Sequence, residues 1–287
     1  MNDRPPGETK RPGHKPETAR AGAFNACRAA LANRSGKAAH AGLLLASYLT
    51  TNGDDGSGKR RLLAEAAKAA RNSRDLYTKA FLRWKQHTPG AERILAVKGR
   101  LVIGLGTESV LETGLTLHHT YGTPIIPGTA LKGLASHYCD RVWGQTEENR
   151  EYRREVRDGG DGGARCGRYY ETLFGTTDDS GHILFRDAWI VPEALGPENR
   201  GLVLDVMTPH HAAYSMAQPE SAAPTDFDDP NPVSFLSVAG EFRVAVACDV
   251  EGEAGERWTN LALELVAEAL AQWGVGGKTN AGYGRLA

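Results

Sequence analysis

Cysteine is scarce in this chain. Only four occur in 287 residues (Cys27, Cys139, Cys166 and Cys248), scattered and without a Cys-x-x-Cys pair. That excludes a disulfide frame and a thiolate zinc site, and it reads as the reduced thiols of a cytoplasmic protein. Long apolar runs are also missing. The longest, around residues 41–48, is far too short to cross a bilayer, and no charged-then-apolar signal segment opens the chain, so no membrane partner is expected. Net charge is nearly absent, at −1. That figure conceals an asymmetry: residues 1–100 hold 20 Lys/Arg against 8 Asp/Glu, and residues 101–287 hold 14 against 27. The basic part can attract a polyanion; equally, the two parts can attract each other or a partner subunit.

What is present in excess is glycine, most densely in Trp273-Gly274-Val275-Gly276-Gly277-Lys278-Thr279-Asn280-Ala281-Gly282-Tyr283-Gly284-Arg285. One glycine, Gly274, suffices to cap a helix; the others suggest a concavity of backbone N–H donors that suits an anion. Lys278 and Arg285 add charge for phosphate, Thr279 and Asn280 add polar side chains, and Tyr283 offers a face for a base. Gly277-Lys278-Thr279 mimics the end of a nucleotide-hydrolase phosphate loop. However, Gln272 stands where that loop needs its first glycine, and the few residues to Ala287 provide no helix N-terminus for the phosphates.

Apolar residues make up 40% of the chain, an ordinary globular composition for roughly one or two domains. Residues 1–20, with four prolines among charges, read as an arm that is disordered when free. Residues 22–50 read as helical, and 52–58 as a break. A second long helix is expected over 59–87, with Leu62, Ala66, Ala70, Tyr77, Phe81 and Trp84 on its apolar face. Arg61, Lys68, Lys79 and Arg83 fall opposite, either as a solvated basic face or as an RNA- or protein-facing surface. Period-two patterns predict strands over 95–105, 110–118, 183–191, 202–207, 233–238 and 241–248. A helix is expected over about 130–142 with Thr129 as N-cap, and a last one over about 260–272. Residues 145–168 read as an exposed loop or insertion, and 209–232 as a projecting segment. The order is α+β and compatible with ferredoxin-like β-α-β-β-α-β units.

A second constellation is Pro127-Gly128-Thr129-Ala130-Leu131-Lys132-Gly133, where a turn delivers the chain to a helix start that favours negative charge. It resembles the proline-glycine-serine-(x)-leucine-lysine-glycine signature of RAMP proteins, the repeat-associated RNA-binding subunits of CRISPR systems. The terminal loop is similar to that superfamily's glycine-rich loop. Leu173-Phe174-Gly175 and the run from Gly181 to Ala188, with Asp187-Ala188, match its recurring pattern. Residues 205–210 and 230–236 look most like a subunit of the type III-B Cmr effector complex. The resemblance covers about residues 94–287. It implies a ferredoxin-like RAMP fold related to RNA-recognition modules, preceded by a basic helical extension over 21–93. It also implies a guide-RNA-binding role in antiviral defence, with target RNA met through the guide and other Cmr subunits as neighbours. Thr129, Lys132, Gly274, Gly276, Gly277, Lys278, Thr279, Asn280, Tyr283 and Arg285 become RNA contacts.

Catalytic relatives place an aspartate between the first strand and the proline-glycine signature. Here residues 107–127 contain no Asp, only Glu108 and Glu112. The reading is therefore non-catalytic, with no cofactor and no metal. Two alternatives stay open: an endoribonuclease using His210 or His211, and a subunit that docks proteins and touches RNA little. His118-His119 and His210-His211, if on strands, would each point only one ring to a common site.

Overall fold

Strand β9 (Glu241–Cys248) organises the fold. Phe242, Val244 and Val246 are buried as the alternation predicts, but Arg243, Ala245 and Ala247 between them are buried too. Burial on both faces makes β9 a central strand. The computed structural model describes residues 40–47, 57–109, 111–157, 163–196, 201–208 and 232–287. Within these, β1 (Ala91–Lys98) pairs one edge of β9, while β5 (Ile183–Phe185) and β6 (Ala188–Ile190) pair the other. β10 (Arg285–Leu286) lies outside β1 and β2 (Ile125–Ile126) outside β6. The strand order is β10-β1-β9-β6-β2 and every pairing is antiparallel. A separate ribbon joins β7 (Leu202–Met207) to β8 (Val233–Val238). Residues 209–231, which hold most of the expected projecting segment, lie outside the described residues, as do 1–39.

The expected strand over 183–191 is two strands. Phe185 faces Val246 and Trp189 faces Arg243, so four steps on one side meet three on the other. That extra residue is a bulge, which bends the strand and turns Asp187 out of the ladder. The expected strand over 110–118 does not form among the described residues. Thr116 donates to the Ile103 carbonyl and Gly114 to that of Leu105, which folds the segment back on itself, and Glu112 takes φ 60°.

Helices α4 (Gly128–Arg141) and α6 (Gly252–Gln272) pack on each other, and α6 crosses β1 and β9. The last helix thus starts two turns earlier than expected. Gly252 and Gly255 make that stretch read as loop, yet Gly255 is needed because a Cβ there would sit 1.8 Å from the Val250 carbonyl oxygen. The N-terminal helices pack elsewhere: the third of them lies against Trp189, Ile190 and Arg243 of the sheet, and the second against the β7–β8 ribbon. α1 (Ala41–Ser47), α2 (Ser57–Asn72) and α3 (Arg74–Gln86) precede β1. The single helix expected over 59–87 is broken at Ser73, whose hydroxyl donates to the Ala70 carbonyl, a local bond that competes with the helix ladder. Leu62, Ala66, Ala70, Tyr77 and Phe81 are buried as predicted. Tyr77 donates its hydroxyl to the Ile190 carbonyl at 2.6 Å, and Trp84 stacks on Trp189 with centroids 4.6 Å apart. Arg243 lies over Trp84 at 4.5 Å and pairs with Glu92, so the buried charge is both paired and stacked.

Residues 145–168 are more ordered than a loop reading implies. Glu151 accepts from both terminal nitrogens of Arg165 (3.0 and 2.7 Å) and from the Arg168 backbone N–H (2.8 Å). These bonds hold its carboxyl down at about 2. Short strands β3 (Val156–Arg157) and β4 (Ala164–Arg165) pair here, and α5 (Arg168–Phe174) follows. Among the described residues no helix is long and apolar enough to cross a membrane.

Candidate nucleic-acid interface

The terminal loop begins where α6 ends. Gly274, at φ 78°, donates to the Ala269 carbonyl at 3.1 Å, the helix-capping role read from the sequence. Beyond it the glycines work differently from the expectation. The N–H groups of Gly277, Gly282 and Gly284 bond to the carbonyls of Val102, Thr279 and Arg100. Those donors hold the loop against residues 100–103 and close its own turn, so they are not offered to a ligand. Gly276 is required by close approach: at φ 88°, a Cβ would lie 2.2 Å from the Val102 carbonyl oxygen.

The donors left over belong elsewhere in the loop. Among the described residues, the N–H groups of Gly276, Lys278, Thr279 and Asn280 make no hydrogen bond. Three of these are consecutive, at the start of the Thr279–Ala281 turn. Lys278 takes the left-handed conformation (φ 61°, ψ 29°), which lets successive N–H groups converge. The loop therefore presents a short nest of backbone donors with an ammonium beside it.

Tyr283 is half-buried and donates its hydroxyl to Asp205 Oδ2 on β7 at 2.8 Å. Burial, and then that bond, pushes the phenol up to about 12. Its ring lies 6.4 Å from Phe235 of β8. Tyr283 thus fastens the loop to the ribbon as well as presenting an aromatic edge. Arg285 is exposed on β10, directly opposite Lys98 on β1. Two like charges placed opposite each other destabilise a sheet unless an anion relieves them. No carboxylate among the described residues pairs with either, and Arg100 stands two residues beyond Lys98. Lys98 and Arg100 are not among the site residues the sequence predicts; the Lys98-Gly99-Arg100 end of β1 is a local signal, but the β10 pairing that gives it meaning is long-range.

The proline-glycine constellation departs from the sequence reading. The N-cap position is Pro127, not Thr129, which lies in the first turn. The Gly128 N–H donates to Asp187 Oδ1 at 2.7 Å, so the carboxylate released by the bulge caps α4 from outside. Gly128 admits no side chain, because a Cβ would be 2.2 Å from the Phe185 carbonyl oxygen. Thr129 and Lys132 are exposed. Among the described residues no hydrogen bond, ion pair or ring contact joins Lys132 to the terminal loop. The link runs through the other end of α4, where Trp273 meets His137 and Tyr138 edge-on at 5.9 and 5.2 Å. Lys132 lies about 7 Å along the helix axis from His137 and about 140° around it.

His118 and His119 are not on a strand. His118 packs between Tyr121 and Trp189 (4.7 and 4.6 Å) and accepts the Thr120 N–H on Nδ1. Burial first, with His119 and His40 nearby, pulls its imidazole below the usual value against the opposing effect of Asp187. His40 accepts the Leu43 N–H on Nδ1 and donates from Nε2 to the His119 carbonyl. These rings line a groove of about 860 Å³ with Glu108 and Thr107. His210 and His211 lie outside the described residues.

The family model described as RAMP superfamily matches residues 94–287. The CRISPR system Cmr subunit Cmr6 of Pyrococcus furiosus is 32% identical over 225 residues, covering 66% of this chain and 65% of that protein. This chain thus spans just under two thirds of that relative's length. The crystal structure of Cmr6 from Pyrococcus furiosus superposes with a TM-score of 0.42 at 31% identity, covering 69% of this chain and 97% of that one. A chain of the cryo-EM structure of the type III-B Cmr-beta complex bound to cognate target RNA gives a TM-score of 0.52 at 17% identity, covering 92% and 85%. The second likeness is one of fold.

Proposed function

This chain belongs to the RAMP superfamily, and from that premise we propose that it is a non-catalytic guide-RNA-binding backbone subunit of a type III-B Cmr effector complex. The observation that carries the reading is the terminal loop. Consecutive undonated N–H groups at 278–280 stand beside Lys278, and the Lys98–Arg285 pair of like charges lies at the loop's exit. Backbone donors and cations with no ion pair among the described residues suit, at one place, a phosphodiester chain, and the half-buried Tyr283 supplies an aromatic surface. Similarity to Cmr6 of Pyrococcus furiosus supports membership of such a complex, with other Cmr subunits as partners and target RNA met through the guide.

The fold is read as ferredoxin-like. What supports this reading is the antiparallel order β10-β1-β9-β6, with α4 after β1 and α6 before β10, the order a β-α-β-β-α-β unit would have if β5 extends its second strand. Residues 21–93 are read as a basic helical extension outside the matched 94–287. The non-catalytic assignment rests on residues 107–127. Glu108 and Glu112 are the acids there, and His118 packs against Tyr121 and Trp189 and accepts the Thr120 N–H.

The test is filter binding of single-stranded RNA across a salt series. Lys278→Ala and Lys132→Ala each weaken retention and make the salt slope shallower by about 0.7, the value for one lost single-strand phosphate contact. Unchanged affinity and slope in both variants would sink the reading. Cleavage of labelled RNA by the purified chain would sink its non-catalytic part.

A further inference from the structure

We propose that the exposed face of α2 is a second phosphate-contact surface, which takes the RNA backbone where it continues past the terminal loop. This rests on the RNA-binding reading of that loop, and it concerns residues outside the family match.

The argument starts from what α2 leaves uncovered. Arg60, Arg61 and Lys68 are exposed and Arg71 is half-buried. At 100° per residue these four fall within an arc of about 100° and extend about 16 Å along the helix. Ala64 completes the stripe, and Glu65, the only acid of α2, is half-buried beside it. None of the four cations has an ion-pair or hydrogen-bond partner among the described residues. Solvated helix faces normally mix charge signs at i, i+4 spacing, which stabilises the helix. Here the one acid at such a spacing, Glu65, forms no ion pair with Arg61 or Lys68 among the described residues and turns a buried Oε2 inward, so positive charge outweighs it on the exposed face, an arrangement that favours a polyanion.

Position supplies the second line of argument. α2 packs on β7 and β8, the ribbon to which Tyr283 fastens the terminal loop through Asp205 and Phe235. At its N-terminal end, Lys59 feels the carboxylate of Glu112, in the segment that folds back on residues 103–105. Gly277 of the terminal loop is bonded to Val102, next to the residues on which that segment folds. The basic stripe and the donor nest are therefore carried on contiguous packed elements. α2 is itself anchored by buried Leu62, Leu63, Ala66 and Ala70.

The neighbouring helix shows what a different partner would require. α3 exposes Leu76 and Leu82 (63% and 59%) among Lys79, Arg83 and Asp75, a mixture suited to a protein surface. α2 exposes no large apolar side chain, and three of its four stripe cations are arginines, the side chain best shaped for phosphate.

The experiment uses the full chain and single-stranded RNA of about eight and about thirty nucleotides, lengths within and well above the roughly 4–16 nucleotides that one single-strand-binding fold holds. In the triple variant Arg60→Gln, Arg61→Gln, Lys68→Gln, retention of the longer RNA falls at least tenfold and its salt slope drops by about 2, while the short RNA binds as before. Lys278→Ala weakens both lengths. Arg60→Lys with Arg61→Lys retains most of the longer RNA's affinity, which separates lost charge from a lost fold. If the triple variant binds both RNAs like the parent while Lys278→Ala does not, this inference falls and the loop reading stands. If Lys278→Ala is silent while the triple variant loses RNA, the stripe stands as an RNA surface and the loop reading falls. Unchanged RNA retention with loss of co-assembly with Cmr subunits would overturn the inference in favour of a protein face.

Discussion

Replacing Gly276 by alanine tests the loop's architecture against a control six residues away. Both Gly276 and Gly282 adopt positive φ, 88° and 85°. An alanine at either position carries the left-handed penalty of about 1–2 kcal/mol, offset equally by the reduced entropy of the unfolded chain. The two sites differ in what a Cβ meets. At Gly282 nothing lies within 4 Å, while at Gly276 the Val102 carbonyl oxygen is 2.2 Å away. That contact is more than 1 Å short of ordinary packing, and the backbone must move to relieve it. The movement breaks the 2.8 Å bond from the Gly277 N–H to the same carbonyl. A net hydrogen bond is worth about 1 kcal/mol. Gly276→Ala should therefore cost at least about 1 kcal/mol more than Gly282→Ala, in addition to their common penalty. Urea unfolding followed by tryptophan fluorescence gives the difference, and amide exchange at Gly277 reports the broken bond. Equal costs for the two substitutions, or an unchanged Gly277 exchange rate in the Gly276 variant, would refute the reasoning.

Three further outcomes follow from individual contacts. Asp187→Ala removes the external cap of α4 and should cost about 1 kcal/mol in urea unfolding, with Thr129→Ala close to neutral because Thr129 is not the cap. Tyr283 titrates near 12 in the fold against 10 when free. Its raised value contributes stability that is whole below pH 10 and lost as the pH rises to about 12. Tyr283→Phe should therefore flatten the alkaline fall in stability between those limits, and an unchanged profile would count against a phenol raised by burial and the Asp205 bond. Glu151 lies at about 2 against 4.5. Its contribution is present above pH 4.5 and lost as the pH falls toward 2, so Glu151→Gln should differ most from the parent at neutral pH and converge with it in acid.

Local patterns were legible where local physics decides. The period-two runs at 202–207, 233–238 and 241–248 became β7, β8 and β9 with the expected bounds, and the apolar stripe of 59–87 is the buried face of α2 and α3. Glycine misled twice. It concealed the first turns of α6, where Gly255 exists for a close approach to Val250, and it exaggerated the donor supply of the terminal loop. In that loop the glycine N–H groups mostly serve the fold, and Lys278, Thr279 and Asn280 supply most of the remaining donors. The Asp187 cap and the Lys98–Arg285 pairing were not readable from local sequence. Each joins residues far apart in the chain, and each depends on a bulge or a strand register that only the assembled sheet sets.

The most direct test of the central claim is photocrosslinking of a Cmr assembly that contains this chain and a guide RNA carrying 4-thiouridine at successive positions. The account predicts RNA adducts on the peptide spanning residues 276–283, lost in the Lys278→Ala assembly when retention falls. Adducts confined to other subunits, with residues 276–283 recovered crosslinked only to protein, would contradict it.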